Sequence, residues 1–461
     1  MVTAQPALLA HHCTQAGLVE KAVGYWLKAG QLSVTRCTMT EAVAQLKKGL
    51  ELLGGLPNGT QRQEQELGLQ ITLGQALIAN KGYGAPEVGE SYDRARQLCQ
   101  LLNRPQQLGQ VLVGQYVFRL VRGELNQAEY HAEEMRHLGD AQNDASWKFS
   151  GLSCGGTACL FLGKFIDARA YYENALSLWD PTFRAFARAW PMDRYVAMLA
   201  FLSRTYGCLG YLDQARSRRE EALAEARRHS PYTLVFALTE VWYGDWAIEG
   251  VRSAHMMLRL AEELAAISNE QGFAQYMGVG NITRGWCLGA MGQTAEGIPL
   301  LLQGLAIRRA TGANLVTQTD LTLLAEVYGL AAQSEEGLNQ LAEAAKMVEA
   351  TQERWAEAEV HRLRGTLLLS MSKYAEAENS YRRALSVAQR QSAKFWELRA
   401  AMSMARLWRD QGKRQQAHDL LAPVYGWFTE GFDTLDAQGS EGTVGGAARL
   451  TTNFETASNS R

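Results

Sequence analysis

The stretch RLRGTLLLSMSKYAEAENSYRRALSV, Arg362 to Val387, decides the fold. Leu363, Leu367 and Leu368 recur at helical spacing around the small residue Gly365, and the polar pair Ser372-Lys373 then breaks the pattern. A second helix follows, with Ala377, Tyr381 and Ala384 on one face. The residue types have a packing logic. Gly365 and Ala377 lack bulk, so two helix axes can approach closely. Tyr381 fills the space left between them, and Ala384 leaves room for the helix that comes next. Working outward, Gly297, Gly337, Ala377 and Ala417 stand forty residues apart, each at the same point of a helix pair. A helix pair cannot bury its apolar face alone, so such pairs stack on their neighbours. The pattern predicts an all-α solenoid of about ten or eleven helix pairs with a concave inner surface.

Composition agrees and removes several function classes. The chain has 461 residues, more than one ordinary core accommodates, but a stacked array has no single core to outgrow. Only 9 prolines are present. The net charge of -2, with acids and bases interspersed, argues against direct nucleic-acid binding, which calls for a basic face. No apolar run approaches the roughly 20 residues that span a bilayer, and the start, MVTAQPALLAHHC, does not read as a signal peptide. The 7 cysteines are scattered without a Cys-x-x-Cys pair, which predicts reduced, buried thiols and a cytoplasmic location.

Along the chain, helices are expected over Pro6 to Ala16 and Glu20 to Cys37, the latter packing through Ala22, Trp26 and Ala29. Thr40 is expected to cap the next helix. The run Gly54-Gly55 to Gly59 reads as a loop and a soft joint, dividing N-terminal helices, 1–53, from the main array, 60–436. Gly74, with Val88, Tyr92 and Ala95, and Gly156, with Ala168, Tyr172 and Ala175, repeat the opening pattern. The small-residue slots of the later second helices fall at Ala215, Ala254, Gly297, Gly337, Ala377 and Ala417. The step from Ala168 to Ala215 is long, which implies either a lengthened helix or a surface excursion over Asp180 to Val196. Residues 437–461 are rich in Gly, Ser and Thr and read as a disordered tail.

The small residue followed by Ala-x3-aromatic-x2-Ala is the signature of a tetratricopeptide repeat, here at a longer period than the usual ~34 residues. The segments PALLAHHCTQAGLVEKAVGYWLKAG, ALIANKGYGAPEVGESYDRARQLC and LRAAMSMARLWRDQGKRQQAHDLLAPVYGWFTEGFDT resemble the C-terminal helical region of large bacterial signalling proteins. In these an adenylate/guanylate cyclase or other output domain precedes an AAA-type ATPase and then a maltose-regulator-like repeat array. The resemblance covers roughly Gln5 to Asp436 and implies a right-handed superhelix that relays binding to a cyclase or ATPase output. The catalytic and ATPase modules have no counterpart here, and the sequence after Asp436 departs from the family's pattern. The expectation is therefore a detached sensor arm, with an orphan fragment lacking a function of its own as one alternative.

A search for chemistry finds little. Gly163-Lys164 is followed by Phe165 and Gly412-Lys413 by Arg414, so neither forms a phosphate loop, which weighs against the other alternative, cyclase or ATPase activity of the chain itself. Gly278-Val279-Gly280 lacks the third glycine of a dinucleotide turn. In His11-His12-Cys13 adjacent helical residues point about 100° apart and do not converge on one metal. His131 and His137 are expected to face solvent. No cofactor and no metal are expected. What remains is the groove. Aligning the repeats on their small residues places Arg204, Tyr243, Trp246 and Trp286 on the first helices, at exposed concave positions, with Arg184, Arg188 and Arg194 at the rim. Aromatics beside an arginine are the usual composition of a binding hot spot. The competing reading is that the two indoles simply fill a curved superhelix. The functional expectation is a non-catalytic interaction or sensor module that holds a protein or peptide segment, or a small effector, in its concave groove.

Overall fold

A computed structural model describes residues 5–36, 38–185 and 192–432. The described residues contain 21 α-helices and no strand. The chain splits into two compact units, with boundaries that fall inside two helices, Ala145–Phe161 and Thr294–Ala310. Each is built from antiparallel helix pairs.

The first unit comprises residues 1–155, 180–190 and 309–315. Its helices are α1 (Pro6–Gln15), α2 (Val19–Thr35), α3 (Met39–Leu53), α4 (Thr60–Lys81), α5 (Pro86–Leu101), α6 (Pro105–Val121) and α7 (Leu125–Gln142), with the start of α8 (Ala145–Phe161). One apolar cluster runs through Val23, Leu46, Leu67, Tyr92, Leu98 and Phe118, from α2 to α6. The 54–59 loop is present, but α3 and α4 on either side of it share this cluster. Stacked helices thus share apolar surface across this loop. Prolines at the first turns of α1, α5 and α6 take positions whose backbone N–H needs no helical partner. The cap of α3 is Thr38, two residues before the expected Thr40.

The second unit comprises residues 156–179, 191–308 and 316–461. After α9 (Phe165–Leu178) comes a 3-10 turn at Pro181–Ala185, which belongs to the first unit, and residues 186–191 of the long step lie outside the described residues. The next helix, α10, begins only at Arg194 and ends at Leu209, and Asp193 caps it by accepting from the Val196 N–H. Alternating second-unit helices follow: α11 (Leu212–Ala226), α12 (Pro231–Glu249), α13 (Ala254–Gln271), α14 (Ala274–Ala290), α15 (Thr294–Ala310), α16 (Thr317–Leu330), α17 (Ser334–Thr351), α18 (Glu357–Ser370), α19 (Tyr374–Arg390), α20 (Lys394–Asp410) and α21 (Arg414–Tyr425). The even-numbered helices, first in each pair, touch in succession from α10 to α20, and α20 returns to touch α10. They form a closed inner ring. Beyond α21, Trp427 lies against Tyr211, and a Glu430 carboxylate oxygen accepts from the N–H of Asp213 at the start of α11 at 3.1 Å. The expected tail, 437–461, and Arg188 lie outside the described residues.

The small-residue logic is physical contact. A Cβ on Gly365 would stand 2.5 Å from the Tyr381 ring, one on Gly156 2.8 Å from Tyr172, and one on Gly74 2.8 Å from Tyr92. In the pair α14 and α15 the approach is closer still, backbone to backbone: a Cβ on Gly297 would stand 2.4 Å from the Gly285 carbonyl oxygen. The turns repeat as strictly. Positions 292, 332, 372 and 412, within successive pairs, all have positive φ (89°, 59°, 61° and 81°), and so do 272, 312, 352 and 392 between pairs (68°, 72°, 59° and 53°). Both series keep the forty-residue step. Some of these positions are glycine and others are Ala332, Gln352, Ser372 and Ser392.

Two stability measurements follow from this geometry. Gly297→Ala is expected to lower the unfolding free energy by about 1–3 kcal/mol in a denaturant titration, since a backbone carbonyl cannot rotate away. Ala332→Gly is expected to raise it by about 0.5–1 kcal/mol, because the turn imposes a left-handed conformation that alanine disfavours.

Candidate functional site

The four expected groove residues lie on the inner ring of the second unit, Arg204 on α10, Tyr243 and Trp246 on α12, and Trp286 on α14. They are not exposed. Arg204 and Tyr243 are each 1% accessible, and Trp246 and Trp286 are 0%. The correction has a simple cause: the ring closes on itself, so large side chains pointing inward meet each other. Trp246 packs against Trp355 and Trp396, both at ring-centroid distances of 6.2 Å, and Trp242 meets Trp286 edge-on at 5.4 Å. The structure brings all four expected residues into one buried network, and it adds residues that sequence reasoning did not single out.

Glu326 on α16 is the first of these. Its Oε2 accepts from Trp286 Nε1 at 2.8 Å and from Trp246 Nε1 at 3.2 Å. Asp320, also on α16, accepts from Tyr243 Oη and from Arg308 Nη1, each at 2.6 Å. Burial raises the Asp320 carboxyl, against the pull of Arg308. Arg204 donates to the Glu240 carbonyl at 2.9 Å and to its carboxylate at 2.5 Å, and its guanidinium carbon lies 4.7 Å from the Trp355 ring centroid. Burial likewise raises Glu240, opposed by Arg204. Between α17 and α18, Glu353 accepts from Trp355 Nε1 at 3.1 Å and from the Val316 N–H at 2.8 Å. Burial is the main force that pushes Glu353 up to about 7, and the nearby Asp320 charge adds to it.

Sequence signals for two of these residues existed. The forty-residue step that links Trp246 to Trp286 lands next on Glu326, and the step from Glu359 lands on Arg399. Arg399 bridges the ring, donating to the Ala247 carbonyl at 3.0 Å and pairing with Glu359 at 3.2 Å. Arg362 pairs with the same carboxylate at 2.6 Å. Burial alone would raise Glu359, but Arg362 and Arg399 together hold it below the usual carboxylate range.

The inner face retains an open cavity of about 330 Å³ beside this network. Glu326 lines it, with Glu249, Arg362, Arg399 and Arg406. Another cavity, of about 460 Å³, lies between α17, α18 and α19 and includes His361, whose imidazole burial and neighbouring arginines, Arg383 first, push down to about 4. None of the four expected residues lines it. Of the expected rim arginines, Arg184 is half-buried and Arg194 is 6% accessible, so Arg194 is no rim residue. In the first unit His137 is exposed as expected, but His131 is buried and sits 3.1 Å from Glu134. Burial lowers the His131 imidazole despite that carboxylate. No group of side chains suited to a metal ion occurs among the described residues. No helix there is long and apolar enough to cross a membrane. Burial raises the thiols of Cys208 and Cys287 to about 12, which keeps them protonated and poorly nucleophilic at neutral pH.

No protein-family model matches the chain. In structure it is similar to a Rap protein complexed with Competence and Sporulation Factor, at a TM-score of 0.57 and 14% identity, over 81% of this chain and 99% of that one. The fold is that of the tetratricopeptide-like helical repeats. In sequence it is 23% identical over 426 residues to an uncharacterized protein of Rhizobium meliloti (strain 1021), covering 87% of this chain. The chain spans 39% of that relative's length.

Two outcomes test the buried network. Glu326→Leu strands two indole N–H groups and is expected to cost about 2–5 kcal/mol of stability, with Glu326→Gln, which keeps an acceptor, costing markedly less. For Glu353, the folded chain keeps the carboxyl proton up to about pH 7, while the unfolded chain loses it near the ordinary glutamate value of 4.5. The folded state therefore binds more protons across that window, and stability falls as pH rises through it and levels off above. Denaturation of the native chain and of Glu353→Gln at pH 5 and pH 7.5 should show the native chain losing a few kcal/mol more on the way up.

Proposed function

We propose that the chain is a non-catalytic protein–protein interaction scaffold, and that a partner segment docks on the inner face of the second unit. The observation that carries this reading is the open cavity beside Glu326, whose carboxylate is held by Trp246 and Trp286. The four residues singled out in the sequence then act from beneath. Arg204, Tyr243, Trp246 and Trp286 hold the contact surface in place and do not themselves touch the partner. A closed, internally bonded ring gives that surface a fixed geometry, which lowers the entropic cost of binding. A protein of this fold binding Competence and Sporulation Factor supports a ligand-binding role for the architecture. The near-neutral charge of -2 favours a protein or peptide over nucleic acid.

The finer reading is that this scaffold is the repeat arm of a bacterial cyclase- or ATPase-linked signalling protein. Its support is the resemblance of the three quoted segments and the greater length of the Rhizobium relative. Arrays of this kind serve as recognition surfaces, and output chemistry belongs to other modules.

Affinity capture from the native host tests both levels. Leu330, half-exposed at the cavity mouth, is the residue to alter, with exposed Tyr374 on α19 as the control. Leu330→Glu is expected to cut capture of the partner at least about tenfold, and Tyr374→Glu to leave it intact. Equal capture by native chain and Leu330→Glu would remove the inner face as the docking surface. A partner set without a cyclase or ATPase would remove the signalling-arm reading alone.

A further inference from the structure

The inner-face cavity is electrically polarised, and its polarity specifies a ligand. Its acidic wall comes from α12 and α16, through Glu249 and Glu326. Its basic wall comes from α18 and α20, through Arg362, Arg399 and Arg406. Leu363, Leu367 and Met402, on the same two helices as the basic wall, supply apolar lining. The charges are set by the scaffold. Arg362 and Arg399 are locked on the shared Glu359 carboxylate, and Arg399 is tied also to the Ala247 carbonyl. Glu326 is 8% accessible, and both of its hydrogen bonds, from the two indoles, fall on Oε2. Its Oε1 therefore remains as an acceptor at the cavity wall, in a residue nine-tenths buried.

Resting on the reading that this inner face is the contact surface, we propose that the cavity binds a small zwitterion, an apolar amino acid or dipeptide. Its ammonium would bond to Glu326 Oε1, its carboxylate would face Arg362 and Arg406, and its side chain would lie on Leu363, Leu367 and Met402. The volume of about 330 Å³ stands at the lower end of the range for small-ligand sites. Such a ligand satisfies both walls at once, whereas a simple anion or cation leaves one wall facing a like charge. A carboxylate oxygen at the wall of a mostly buried site, in a residue whose other oxygen is fixed by two indoles, favours a ligand that supplies a donor.

Isothermal titration calorimetry on the full chain tests this with Leu-Leu as probe and N-acetyl-Leu-Leu-amide as its neutral counterpart. The zwitterion is expected to bind at least about tenfold more tightly than the neutral form, a comparison that needs no variant. Glu326→Gln and Arg406→Gln are each expected to weaken Leu-Leu about tenfold or more, with unchanged helical circular dichroism. No Leu-Leu binding at millimolar concentration, equal binding of the neutral form, or indifference to both variants overturns the proposal. If Leu-Leu fails to bind while Leu330→Glu still abolishes partner capture, the zwitterion is wrong and the scaffold reading stands. If Leu-Leu binds as described but capture is indifferent to Leu330→Glu, the scaffold reading falls and this one stands.

Discussion

Four indole rings that point inward from a closed ring of helices, Trp246, Trp286, Trp355 and Trp396, have their N–H groups bonded within the protein, and much of the second unit is arranged around those bonds. Glu326 is the acceptor for two tryptophans from two different helices. Glu353 is the acceptor for Trp355, and the Trp355 carbonyl is the acceptor for Trp396 at 3.0 Å. The bonds to Glu326 and to the Trp355 carbonyl join segments forty or more residues apart, whereas Glu353 and Trp355 are two residues apart. An unmet donor in such a place costs more than a made bond contributes, so removing one acceptor is costly. This makes the inner face a defined surface, and a defined surface is what a recognition module needs.

Charges also accumulate in this interior, on carboxylates other than those that meet the indoles, and buried carboxylates are tolerated only with partners. Arg308 partners Asp320, Arg204 partners Glu240, and Arg362 with Arg399 partners Glu359. The three sites respond differently. Asp320 and Glu240 are raised by burial, while the doubly paired Glu359 is lowered. Arg362 and Arg399, which together hold Glu359, also line the cavity and form part of its basic wall.

The first unit is built by the same rules without a comparable indole interior. Its apolar cluster is aliphatic with Tyr92 and Phe118. Tyr116 donates to the Cys154 carbonyl at 3.1 Å, and a polar group of Arg96, His131 and Glu134 joins α5 to α7. Residues 309–315 complete this unit, with the Asn314 and Leu315 N–H groups donating to the Val121 carbonyl at 2.9 and 3.0 Å.

Local order was legible in the sequence. The forty-residue step, the glycine or alanine that admits a neighbouring ring, and the placing of Arg204, Tyr243, Trp246 and Trp286 on first helices all follow from spacing and side-chain volume. The tight slot of Gly297 and the tyrosine contacts of Gly365 and Gly156 are what that reading implies in atoms. Exposure was not legible. Periodicity tells which face of a helix a residue occupies, but not how far the array curves before it meets itself. Only the tertiary structure decides that α20 returns to α10, and with it that the four inward residues are buried. Curvature is the sum of small rotations over many helix contacts, and no single stretch of sequence carries that sum.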